Sequence, residues 1–221
     1  ETIAPSPLPY LEGISAPPRE MDRADMDRVL GEFVLSTRYA AEAGFDMLEL
    51  HMAHGYLLAS FLSPLTNRRH DEYGGSVANR LRFPLEVLVA VRKAWPAEKP
   101  LSVRLSSSDW APGGLTEPEL IAIARAMKAA GADLLDLSSG QTVPWQKPVY
   151  GRMWQTPFSD LVRNHVDIPT LAVGNIYEAD HANSIIASGR ADLCALARPH
   201  LADPAWTLRA AWRPFSNSLV F

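Results

Sequence analysis

Ala130-Gly131-Ala132-Asp133-Leu134-Leu135-Asp136-Leu137 is one of three segments with the same local order of residue types. Ala43-Gly44-Phe45-Asp46-Met47-Leu48-Glu49-Leu50 precedes it, and Ser188-Gly189-Arg190-Ala191-Asp192-Leu193-Cys194-Ala195-Leu196 follows it. In each, a helical stretch runs into a glycine, which can take the left-handed conformation that ends a helix. An aspartate and a short apolar strand come next. Helix, glycine, aspartate, strand is the joint of an αβ unit, and its repetition predicts a parallel sheet.

The helices before these joints show apolar spacing. About residues 22–43, Val29, Leu30, Phe33, Val34 and Ala40 share a face. About residues 77–94, Leu81, Leu85, Leu88 and Val91 do. A third helix, about 116–130, opens at Thr116 with Glu119 three residues on, the pattern of a capping box. A short one at about 178–188 carries Ile185 and Ile186. Five strands are expected, at about 47–50, 101–105, 134–137, 170–173 and 193–196.

Two architectures accommodate five such units: a doubly wound open sheet, or part of a (β/α)8 barrel, which needs about 250 residues when complete. No glycine-rich dinucleotide fingerprint follows a strand, which weakens the first. Polar residues or tight turns stand at the strand ends: His51/His54, Arg104/Ser106, Ser138/Ser139, Gly174/Asn175 and Ala197/Arg198. A barrel predicts such a ring, because its strand ends all face one site. The expected fold is therefore an α/β TIM barrel, incomplete here.

Composition sets outer limits. The 221 residues are 47% hydrophobic and 21% charged, with net charge −4, enough for one sizeable core. No basic tract suggests nucleic acid, no apolar run is long enough for a bilayer span, and no signal peptide is visible. One cysteine, Cys194, leaves no internal disulfide framework and no cysteine-rich metal site. A cytoplasmic protein is expected.

Chemistry concentrates in Met47-Leu48-Glu49-Leu50-His51-Met52-Ala53-His54-Gly55-Tyr56. Two imidazoles and a phenol at a strand's carboxyl end could bind an oxyanion and deliver a proton. They could also be a metal pair, although metal sites usually have a third close ligand, or structural side chains packed under a loop. Arg104 projects from an otherwise apolar strand, so it should have an anionic partner. A salt bridge to Asp133 or Asp136 would serve.

Several further motifs, taken together, resemble the Old Yellow Enzyme family of FMN-dependent NAD(P)H oxidoreductases, in the branch with a His-x-x-His pair. They are Glu49-Leu50-His51-Met52-Ala53-His54-Gly55-Tyr56-Leu57 and Phe61-Leu62-Ser63-Pro64-Leu65-Thr66-Asn67-Arg68-Arg69-His70-Asp71-Glu72-Tyr73-Gly74-Gly75-Ser76, followed by Asn79-Arg80. Val103-Arg104-Leu105-Ser106 and Ala195-Leu196-Ala197-Arg198-Pro199 complete the set. The resemblance implies that His51 and His54 grip a substrate oxygen and that Tyr56 is the proton donor or its close neighbour, with solvent as the other proton source. It implies that Arg104 meets the flavin ring and that Gly174, Ala197 and Arg198 meet its phosphate. Ala197 stands where many relatives have glycine, which is tolerable if its φ stays negative. Arg69, Asp71 and Arg80 are expected in a salt-bridged turn, and Trp110 and Trp145 in loop packing.

The implied activity is reduction of an activated C=C bond in an enone or an enoyl- or aryl-CoA thioester, with FMN and NAD(P)H. The sequence also resembles the reductase barrels of bifunctional monooxygenase/reductases, so fusion to a monooxygenase domain and a homo-oligomeric state are both compatible. The resemblance covers residues 1–212 and leaves 213–221 as an atypical tail. It also implies that three βα units ahead of the first helix lie outside the chain. Two alternatives stand: a non-catalytic remnant without flavin, and a metal-dependent barrel hydrolase, which is short of strand-end carboxylates.

Overall fold

Gly44, Gly131 and Gly189 take φ of +82°, +99° and +70°, so each joint ends its helix in the left-handed turn expected of it. The computed structural model describes residues 1–217, with side chains as far as Trp212. The tail set apart at 213–221 lies, beyond Asn217, outside the described residues. A two-residue parallel pair, β1 (Ile3–Ala4) and β2 (Arg19–Glu20), leads into α1 (Arg23–Glu42). Then come β3 (Leu48–Met52), α2 (Leu57–Leu62), α3 (Val77–Ala94), β4 (Leu101–Ser106), α4 (Glu117–Ala129) and β5 (Leu134–Ser138). The remainder is α5 (Thr156–Val166), β6 (Thr170–Val173), α6 (Ala179–Ala187), β7 (Leu193–Ala195), α7 (Arg198–Ala202) and α8 (Trp206–Asn217).

The five longer-range strands pair in chain order, β3-β4-β5-β6-β7, all parallel. They are the strands expected from the sequence, and they form an open five-stranded portion of a (β/α)8 barrel. The repeated aspartate explains part of the joint. Asp133 accepts the N–H of Leu101, the first residue of β4, at 2.8 Å, and Asp192 accepts that of Thr170, the first of β6, at 2.9 Å. Each thus caps the neighbouring strand and satisfies a backbone donor.

The two sheet faces differ sharply. Leu50, Met52, Val103, Leu105, Leu135 and Leu137 are buried against Leu88, Val91, Ile123, Met127 and Val162 of the helices. The opposite, inner face is polar over β3 to β5: Glu49, His51, Ser102, Arg104, Ser106, Asp136 and Ser138. On α1 the buried stripe is Met26, Val29 and Thr37, with Leu30, Phe33 and Ala40 packed beside it. Phe45 and Met47, next to the outer strand β3, are 61% and 41% exposed. No helix among the described residues is long and apolar enough to cross a membrane.

The turn after α2 departs from the expected arrangement in one respect. Arg69 does pair with Asp71, but Arg80 does not join them. Buried Arg80 donates to Leu62 O at 2.8 Å and Gly75 O at 2.6 Å and pairs with Glu119 of α4 at 2.6 Å. Glu119 forms the expected capping box with Thr116 and also neutralises the arginine that ties α3 to α4.

Candidate active site

Strand register places His51 beside Arg104 and Arg104 beside Asp136. Register partners in a parallel pair point to the same face, so the three form one row across the inner surface. One layer toward the carboxyl ends, Ser106 pairs with Ser138. One layer the other way, Ser102 donates to Glu49 at 2.9 Å.

Asp136, not Asp133, is the partner of Arg104. Arg104 Nε lies 3.2 Å from Asp136 Oδ2. Its N–H does not point along that line, and among the described residues the buried Nε and Asp136 Oδ1 have no hydrogen-bond partner. Burial pushes the Asp136 carboxyl up to about 7, with Arg104 acting against the shift and Glu49 adding to it. Asp133 pairs instead with Arg92, also at 3.2 Å.

Beyond His51 the chain turns sharply. His54 has φ of +60°, uncommon for a residue with a side chain. Two serines hold it there. Its backbone N–H donates to Ser106 Oγ at 2.8 Å, and its ring Nε2 lies 2.7 Å from Ser138 Oγ. The His51 ring is centred 5.1 Å from that of His54 and 5.0 Å from that of Tyr56. Burial, then the charge of Arg104, lowers both imidazole pKa values, that of His54 to about 4. Each ring is therefore neutral near pH 7 and carries one N–H donor. Gly55 has φ of +71°, and a Cβ there would lie 2.5 Å from Gln141 O. Only glycine lets the loop after β5 cross so closely. Tyr56 then stands 62% exposed at the start of α2.

His54 and Tyr56 line a hollow of about 720 Å³ with Ser138, Gln155, Tyr150 and Trp154. Gly174, Ala197 and Arg198 line a second, of about 490 Å³, with Asn175 and Trp206. The structure thus gathers His51, His54 and Tyr56 into one cluster, with Arg104 beside them in the row, and sets the other three apart. Both hollows open at the carboxyl ends of the strands. Gln155 links them. It lines the first, and its Nε2 donates to Val173 O at 3.2 Å beside Gly174. Gly174 has φ of +113°, and a Cβ would lie 2.6 Å from that Nε2. Ala197 has φ of −115°, so its methyl is accommodated without strain.

Gln155 and α5 escaped the sequence reading. The helix ends on Asp167 in the left-handed conformation instead of on glycine, so the joint that marks the ends of α1, α4 and α6 is absent. Val162 and Val166, four apart and buried, were the available signal. Trp110 packs against Trp154 and Phe158 and donates to Ser139 at 2.8 Å. Trp145 is largely exposed.

A parallel barrel sheet with paired imidazoles, a phenol and an arginine at its carboxyl end defines a class of oxidoreductase barrels. The chain belongs to the NADH:flavin oxidoreductase / NADH oxidase family, the Old Yellow Enzyme family, whose model matches residues 4–213. It is 47% identical over 211 residues to an NADPH dehydrogenase of Geobacillus sp. (strain WCH70), covering 96% of this chain and 61% of that protein. It is 41% identical over 212 residues to one of Clostridium acetobutylicum, covering 96% and 62%. The chain thus spans about three fifths of the length of these relatives. Among solved structures, 2-naphthoyl-CoA reductase in complex with 2-naphthoyl-CoA superimposes with a TM-score of 0.84 at 29% identity, covering 92% of this chain and 32% of that one. Morphinone reductase in complex with tetrahydroNAD gives 0.79 at 28%, covering 96% and 60%.

FMN and NAD(P)H are the cofactors this family implies. The residues present fit FMN. The buried Arg104 Nε has no hydrogen-bond partner among the described residues, which suits an anionic group at the inner face. The second hollow offers Arg198 and an open backbone turn at Gly174, a donor set suited to phosphate.

Proposed function

We propose that this chain forms the substrate-activating side of an FMN-dependent reductase acting on the C=C bond of an α,β-unsaturated carbonyl or CoA thioester. The observation that carries the reading is the cluster of two neutral imidazoles and an exposed phenol beside Arg104. Arg104 would hold the flavin ring edge, and Gly174, Ala197 and Arg198 its phosphate. When bound, FMN supplies a hydride taken from NAD(P)H. His51 and His54 donate N–H bonds to the carbonyl oxygen and hold the negative charge that develops there. Tyr56, exposed at the start of α2, delivers the proton to the α-carbon. The likeness to 2-naphthoyl-CoA reductase supports an aryl-CoA thioester within this substrate class.

In the complete barrel, His51→Ala combined with His54→Ala should slow enone reduction by roughly 10²–10³-fold while NAD(P)H still reduces the flavin. Equal loss of bound FMN and of turnover would overturn the assignment.

A further inference from the structure

The proposed role of His54 requires a ring N–H aimed at the substrate, yet one ring nitrogen is already engaged. Nε2 lies 2.7 Å from Ser138 Oγ. Nδ1 makes no hydrogen bond to protein among the described residues, and the ring borders the cavity. Whether that cavity receives a donor or a lone pair depends on which of Nε2 and Ser138 carries the shared proton.

The surrounding network decides the direction. The Gln155 amide is oriented by its Nε2, which donates to Val173 O at 3.2 Å, so Oε1 faces the two serines. Ser139 accepts from the Trp110 indole, which can only donate, at 2.8 Å. Its own proton therefore goes to Gln155 Oε1, at 2.6 Å. Ser138 has two acceptors in reach. One is that same Oε1, which already accepts from Ser139 and lies 3.4 Å away, and the other is His54 Nε2 at 2.7 Å. A hydroxyl bond near 2.7 Å is of ordinary strength and one at 3.4 Å is weak.

We propose that Ser138 is a positioning residue that donates its proton to His54 Nε2 and so fixes the ring in the Nδ1–H form, turning an N–H donor toward the cavity. Ser106, its register partner, holds the His54 main chain, so two adjacent strands fix both the backbone and the tautomer. Gln155 Oε1 takes the Ser139 proton and, at 3.4 Å from Ser138, lies too far away to compete with the histidine. This inference rests on the proposed oxygen-binding role of His54 only for its catalytic consequence, and not for the tautomer itself.

The test is a two-bond proton–nitrogen correlation spectrum of the 15N-labelled chain at neutral pH. The His54 ring should show a protonated Nδ1 and an unprotonated Nε2. In Ser138→Ala the ring should move toward the Nε2–H form that imidazole prefers in water. The alanine fits the buried space, and Gln155 Oε1 keeps Ser139, so His54 Nε2 is the acceptor that loses its donor. Ser138→Thr, which restores the hydroxyl, should return the Nδ1–H form, and Ser139→Ala should leave the His54 tautomer as it is. A wild-type ring protonated at Nε2, or a Ser138→Ala spectrum identical to wild type, would overturn the proposal. In the complete barrel, Ser138→Ala should lower enone turnover on the order of tenfold, as the competent tautomer becomes the minor form, with flavin reduction by NAD(P)H unchanged. A tautomer shift with unchanged enone turnover would uphold the positioning and overturn the role of His54 in catalysis.

Discussion

Replacing Asp136 by asparagine should stabilise the protein at mildly alkaline pH. The carboxyl is buried on the inner face of the sheet beside Arg104, and its side chain is 5% exposed. Its pKa of about 7 in the fold stands against 3.8 for the free group. Roughly three pKa units correspond to about 4 kcal/mol. The sign follows from proton counting. Below pH 3.8 both the folded and unfolded chains hold the proton and nothing is lost. Between 3.8 and about 7 the unfolded chain ionises first, so it binds fewer protons and native stability falls as pH rises. Above about 7 the loss is complete. Asparagine cannot ionise, so the variant escapes it. The attraction of Arg104 is already contained in the pKa of about 7, and the arginine, 30% exposed, can turn to water in the variant. The net gain should be roughly 3–4 kcal/mol at pH 8 and near zero at pH 4. Urea unfolding of both proteins at the two pH values measures the double difference, in which every other titrating group cancels. If the variant were less stable at pH 8 by as much as at pH 4, Asp136 would be an ionised partner of Arg104 and the reasoning would fail.

Gly174→Ala should cost about 1–3 kcal/mol, since φ of +113° is strained for alanine and the methyl would meet Gln155. Ala197→Gly at the same hollow should cost under about 1 kcal/mol, so equal thermal shifts in the two variants would contradict the backbone account. Arg80→Ala should destabilise by about 1–3 kcal/mol, because it leaves the Leu62 and Gly75 carbonyls without their donor and removes the cation beside Glu119. A chemical denaturation midpoint near wild type would show that this network is dispensable.

The sequence by itself determined the units of this protein. The joints at Gly44, Gly131 and Gly189 are local, because a chiral residue resists the left-handed turn wherever it occurs, and the apolar runs after them are strands whatever surrounds them. The five strand positions and four of the helices follow from such short-range rules, and so does the gathering of His51, His54 and Tyr56, which lie within six residues of one another. Helix α5 was hidden because Asp167 takes the turn that glycine takes elsewhere, held by its place in the fold.

What only the tertiary structure decided is which distant residues meet. Asp136 or Asp133 could each neutralise Arg104 on chemical grounds. Strand register chose Asp136, since a shift of one residue would turn it to the helix side of the sheet. Gln155 has no marked signature in the chain, yet it lies between the two hollows and sets the hydroxyl network under His54. Arg80 pairs with Glu119 across 39 positions of sequence, not with the aspartate nine residues before it. Such contacts depend on how sheet and helices pack, and burial then sets their energetics: it holds Asp136 near neutrality and keeps both imidazoles uncharged, properties that belong to the assembled fold and to no segment of the chain.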